Sequence, residues 1–160
     1  RLGTLCSALQ VATQEGRVHG LDWLLELADS TVTYRSRYPV APEWLPVLDL
    51  LLREDSNPRS VAFQLKGLVE YVSKLEQAHG RFAGDVIAPV AQAFARITPT
   101  DLHPESAALG AVLEQLQHIT RVVSDELTLK FFSHADSRTV LSLVCSVAYR
   151  WIAIKKKSSG

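Results

Sequence analysis

Polar residues set inside otherwise apolar segments carry whatever chemistry this 160-residue chain can do. Asp22, Glu26 and Asp29 recur at spacings of four and three, which places their carboxylates on one face of a helix. Tyr34, Arg35, Arg37 and Tyr38 follow one to two helical turns later. Asp49 interrupts the run Pro46-Val47-Leu48-Asp49-Leu50-Leu51-Leu52, where a charge is costly unless a cation meets it. Arg35, Arg37 and Arg59 are the candidate partners. In Asn57-Pro58-Arg59-Ser60, Asn57 suits a helix N-cap and Pro58 its first position, so Asn57→Ala is expected to cost about 1 kcal/mol. Arg59 then falls in the first helical turn, against the dipole's preference for anions, and such an arginine implies a specific carboxylate or ligand. Two arrangements satisfy these residues. One is an interhelical ion-pair network that fixes bundle register. The other is a polar pocket for a carboxylate, a phosphate or a partner's acidic group, built from Tyr34, Arg35, Arg37, Tyr38, Asp49, Asn57, Arg59 and Ser60.

Other chemistries lack their patterns. The five histidines, His19, His79, His103, His118 and His134, form no pair at metal-ligand spacing. Glycines do not cluster into a phosphate-binding loop, and there is no Gly-x-Ser-x-Gly elbow. Cys6 and Cys145 stand far apart with no partnering base in view, and they read as buried inert thiols. Catalytic residues, metal ligands and cofactors are therefore all assigned as none. With 17 Lys+Arg against 17 Asp+Glu, the charge balance argues against a nucleic-acid binder or a basic membrane anchor. A hydrophobic content of 47% is enough for a core, and no apolar run reaches the ~18–20 residues of a membrane span. Sparse cysteines and the lack of a secretory leader make a reducing cytoplasm the expected compartment. The chain opens on Arg1 within the apolar series Leu2, Leu5, Ala8 and Leu9, which resembles mid-helix and predicts a piece of a longer protein.

The elements that would position these groups are helices. A first one stops near Gly16. A second carries Leu21, Leu24, Leu25, Ala28 and Val32 on one face and ends before Pro39. Pro42 can open the next, Glu43 to about Arg53, which is apolar nearly all round and so buried on most sides. Val61, Leu65, Leu68, Val72 and Leu75 form a clean bundle stripe that ends near Gly80. Val86, Val90, Phe94 and Ile97 form another, in a helix that starts or kinks at Pro89. The longest helix runs from about Pro104 to Phe132, with Leu109, Leu113, Leu116, Ile119, Val123, Leu127 and Phe131 as its stripe. Val140 to Ile154 fits a helix or a strand; with no other strand to pair it, helix is preferred. The expected architecture is an all-α bundle of about five to seven helices. It forms a single domain over residues 1–138, followed by a divergent apolar helix and a flexible basic tail over 139–160.

Two stretches resemble the bacterial alpha-E family, a predicted α-helical domain named for a Glu-Arg motif. One runs from Asp29 to Tyr38 and on through Val47–Leu65, including Asn57-Pro58-Arg59-Ser60; the other is Ser124–His134, similar to the family's closing helix. Together they cover about residues 20–136. No Glu is followed by Arg in this chain, so it resembles the C-terminal portion of such a domain. The resemblance implies company with circularly permuted ATP-grasp ligases, transglutaminase-like proteins and an N-terminal-nucleophile peptidase, in a peptide-synthesis or protein-tagging system. It implies a non-catalytic scaffold or substrate-binding module. The alternatives are an enzyme component completed by the missing Glu-Arg half, or a generic helical dimerisation module. The partners expected are the circularly permuted ATP-grasp ligase and the transglutaminase-like protein, and no nucleic acid or membrane, with a homo-oligomer left open.

Overall fold

Helical periodicity in the sequence becomes seven α-helices, with no strand, in the residues that the computed structural model describes, 1–15 and 20–132. They are α1 (Leu2–Glu15), α2 (Leu21–Leu27), α3 (Thr31–Arg37), α4 (Trp44–Leu48), α5 (Val61–His79), α6 (Gly84–Ala95) and α7 (Ala107–Leu127). α4 and α7 each run on into a turn of π-helix, Asp49–Arg53 and Thr128–Phe132. The chain divides into two compact units, Arg1–Glu126 and Leu127–Gly160, and Leu127–Phe132 is the described part of the second. The helix expected from Val140 to Ile154 and the basic tail lie outside the described residues, as do Gly16, His19, His134 and Cys145.

The core of the first unit is aliphatic. Leu2, Leu5, Cys6 and Leu9 of α1 are buried, and α1 packs on α2 and α5. Gln10 links α1 to α7 through hydrogen bonds with Glu114 and Gln117, while Gly3 sits where a Cβ would come within 3.0 Å of Thr120 Oγ1. α7 contributes Leu109, Val112, Leu113, Leu116, Ile119 and Val123, and each fully buried side chain of this size adds roughly 1.5–3 kcal/mol. Burial pushes the Cys6 thiol up to about 12, which suits packing and not nucleophilic attack.

Local chemistry moves several boundaries. The single helix expected from Leu21 past Val32 is broken. Leu21, Leu24, Leu25 and Ala28 are buried, but Val32 is 83% exposed. The cause is Asp29, whose φ of +50° ends α2 in the left-handed region. Asp29 N–H donates to Glu26 O and Ser30 N–H to Leu25 O, at 2.9 and 2.8 Å, the paired bonds of a Schellman cap. α4 begins at Trp44 and not at Pro42, and the π-turn after it buries Leu50, Leu51 and Leu52 together while Asp49 faces outward. α5 begins at Val61, three residues beyond the expected start, with Ser60 as its N-cap: Ser60 Oγ accepts Phe63 N–H at 3.1 Å. α7 starts at Ala107, where Ser106 Oγ accepts Leu109 N–H at 3.2 Å.

α6 starts at Gly84, ahead of Pro89, because a carboxylate from another helix caps it. Glu76 Oε1 of α5 accepts the N–H groups of Phe82, Ala83 and Gly84 at 2.9, 2.9 and 2.8 Å. These backbone donors hold the Glu76 carboxyl down at about 2. The buried residues of α6 are Ile87 and Val90, with Ile97 buried just beyond its end, while Val86 is 38% exposed. Because the folded value lies below the ordinary 4.5, the contribution of Glu76 is complete above pH 4.5 and is lost as pH falls toward 2. Glu76→Gln is therefore expected to flatten the fall of the thermal midpoint across that window. A Cβ on Gly84 would collide with the same carboxylate, so Gly84→Ala should remove much of the same acid sensitivity. The two losses should overlap in the double variant; a strictly additive result would break the assignment.

Candidate functional site

The broken helix brings Asp29 to the end of α5. Its Oδ2 lies 2.6 Å from Arg59 Nη2, and this is the ion pair Arg59 makes, in place of the expected one with Asp49. Asp49 instead pairs with Arg53, one helical turn away at 3.3 Å, with its side chain 40% exposed. Outward rotation in the π-turn hydrates Asp49, so the premise of a buried carboxylate fails and no interhelical partner is needed.

Arg59 projects from a turn fixed by Asn57. Asn57 is 4% exposed; its Nδ2 donates to Leu50 O at 3.1 Å and its Oδ1 accepts Arg59 N–H at 3.1 Å. A longer bond of 3.5 Å reaches Ser30 Oγ. Asn57 is thus a buried hub joining the π-turn to α5 and not the N-cap of α5. Gln64 Nε2 donates to Arg59 O at 2.9 Å, and Ser60 Oγ donates to Glu54 O at 2.6 Å, so both sides of Arg59 are pinned.

The remaining candidates brace this turn or stand apart from it. Arg37 Nη1 pairs with Glu54 Oε2, and Nη2 donates to Ser56 Oγ at 3.2 Å. The Ser56 hydroxyl, then Arg37, then the Ser56 N–H hold the Glu54 carboxyl at about 2. Tyr34 is buried; its hydroxyl donates to Ala41 O and accepts Glu43 N–H, both at 3.3 Å, which fastens the α3–α4 connection. Tyr38 packs on Tyr34 with ring centroids 5.0 Å apart. Arg35 is exposed on α3 and forms no salt bridge among the described residues. The eight expected residues therefore do not form one pocket. Arg59 reaches an open cleft, while Asn57, Ser60, Tyr34, Tyr38 and Arg37 hold the scaffold around it.

That cleft, of about 270 Å³, is lined by Arg1, Thr4 and Leu5 of the first helical segment, Leu27, Ala28 and Asp29 at the end of α2, and Arg59 and Gln64. Sequence patterns give no sign of Arg1, Thr4 or Gln64, since residues remote in sequence meet there only after the helices pack. Asp29 was visible only as one member of an acidic face. Its conformation is the informative feature. A left-handed residue other than Gly costs roughly 1–2 kcal/mol, although Asp tolerates it better than most. The carboxylate is 73% exposed, and a pair so hydrated returns only about 0–1 kcal/mol. The ion pair alone does not offset placing Asp where Gly is the usual choice. Among the described residues, no group of three or more His, Cys, Asp or Glu could hold a metal ion. Nor is any helix among them long and apolar enough to cross a membrane.

No curated protein and no solved structure matches the chain. A family model does, over residues 1–132: Alpha-E, a predicted alpha-helical domain with a conserved ER motif. The match takes in α1, which the resemblance over residues 20–136 had left out, and it spans all seven helices and the cleft. The chain belongs to the Alpha-E family.

Proposed function

We propose that this domain is a non-catalytic helical scaffold and substrate-binding module of a bacterial, cytoplasmic, ATP-grasp-associated peptide-synthesis or protein-tagging system. The circularly permuted ATP-grasp ligase and the transglutaminase-like protein are its proposed partners. Family membership supports that setting, and the cleft supports the binding role. The single observation that carries it is the exposed Asp29–Arg59 pair lining a cleft, with the Arg59 backbone held by Asn57 and Gln64. Guanidinium, amide and hydroxyl groups line the cleft, and these hold a polar ligand in place. Neither a thiol nor an imidazole is among them.

Ligation by the ATP-grasp partner should fall when the domain is omitted. Adding back an Arg59→Gln variant should leave kcat/KM at least about tenfold below that with the parent domain, mainly through KM, as loss of uniform binding requires. Ligation rates that do not change on omitting the domain would refute the role. Turnover by the domain alone would favour the enzyme-component alternative.

A further inference from the structure

We infer that the cleft between α1, α2 and α5 takes a free α-amino acid as its zwitterion, its carboxylate on Arg59, its ammonium on Asp29 and an apolar side chain against Leu27 and Ala28. This rests on the binding-module reading of the same cleft. Asp29 and Arg59 lie 2.6 Å apart and each makes one ion pair, so Asp29 Oδ1 and the other guanidinium N–H groups have no partner among the described residues. A simple anion approaching Arg59 meets the Asp29 carboxylate beside it, and a simple cation approaching Asp29 meets Arg59. A molecule carrying both charges a few ångströms apart satisfies both at once, lying antiparallel to the pair.

Rigidity and size agree with this assignment. The Arg59 backbone is held by Asn57 on one side and Gln64 on the other, and its guanidinium is oriented by Asp29. Asp29 is fixed by the Schellman bonds of the α2 terminus. A volume of about 270 Å³ falls just below the ~300–1,000 Å³ of drug-sized pockets, which admits an amino acid and is small for a nucleotide. Leu5, Leu27 and Ala28 supply an apolar wall, while Arg1, Thr4 and Gln64 add polar groups to the lining. Leu27 is 42% exposed, a cost that an apolar ligand side chain would relieve.

Calorimetry on the purified chain tests this with L-leucine, N-acetyl-L-leucine, which lacks the ammonium, and L-leucinamide, which lacks the carboxylate. Leucine should bind, and each blocked analogue should bind at least about tenfold more weakly. Arg59→Gln and Asp29→Asn should each weaken leucine at least about tenfold; Asn keeps the left-handed preference, so the Asp29 variant should retain its thermal midpoint. Binding of N-acetyl-leucine as tight as leucine would make this a plain anion site and overturn the inference. No heat with any of the three would also overturn it. If leucine binds but ligation does not depend on the domain, only the ligase association falls. If ligation depends on the domain and leucine does not bind, only the zwitterion assignment falls.

Discussion

Asn57→Ala should lower the free energy of unfolding by about 3 kcal/mol, well beyond the ~1 kcal/mol of an ordinary helix cap. The side chain is almost completely buried and serves two backbone groups from opposite sides, donating to Leu50 O and accepting from Arg59 N–H. Each lost bond removes about 1 kcal/mol, and the buried Leu50 carbonyl left without its donor adds roughly 1–3. Asn57→Asp separates the two contacts. Its carboxylate can still accept from Arg59, but it brings negative charge toward the Leu50 carbonyl, so its loss should be at least as large. Denaturant unfolding of the two variants measures both. A loss of about 1 kcal/mol or less for Asn57→Ala would mean that it acts as a cap and not as a buried hub.

Leu51→Ala is expected to cost about 3–4 kcal/mol, within the range of fully buried leucine truncations that leave a cavity. Leu51 is 0% exposed within the π-turn, which packs on α5. Leu45, in the same apolar stretch but 52% exposed, should change stability by no more than about 0.5 kcal/mol on truncation to Ala. The pair of variants separates two forms of this stretch. A helix buried on most sides would make both truncations costly; the observed geometry makes only one so. Similar losses from both would contradict the outward placement of the α4 face that carries Leu45.

Helix identity was legible in the sequence because its causes are local. The stripe of α5 depends only on spacing; Val61, Leu65 and Val72 are buried, while Leu68 and Leu75 are half-buried. Gly80, expected to end α5, has φ +79°, a conformation that Gly reaches without a Cβ penalty. The α7 stripe is likewise buried at Leu109, Leu113, Leu116, Ile119 and Val123, and half-buried at its last two members, Leu127 and Phe131. Family membership was legible for the same reason, since the quoted segments and the match over residues 1–132 are properties of the sequence itself.

Local signals misled where a second element had the deciding role. Asn57-Pro58 has the chemistry of a helix start, but Asn57 is held in the preceding turn by Leu50 O and Arg59 N–H, and Ser60 caps α5, which begins at Val61. A helix starting at Pro89 was one of two expectations, but Glu76 from α5 satisfies the backbone donors at Gly84 and the helix starts there, with Pro89 in its interior. Asp29 has no composition cue that distinguishes a left-handed cap from one more turn of helix.

Sequence by itself determined that the described segments are helical and where most of the buried face of α5 and α7 lies, because a 3.6-residue period acts within a few residues along the chain. Tertiary structure decided which charges meet. Asp49 could pair with any nearby arginine, and the π-turn gave it Arg53; Arg59 went to Asp29 and Arg37 to Glu54. Exposed ion pairs are worth only about 0–1 kcal/mol, so they follow the packing of the helices and do not direct it. The cleft depends on that packing too, because Arg1, Asp29 and Arg59 are brought to one place only by the burial of Leu5, Leu24, Leu25 and Val61 beneath them.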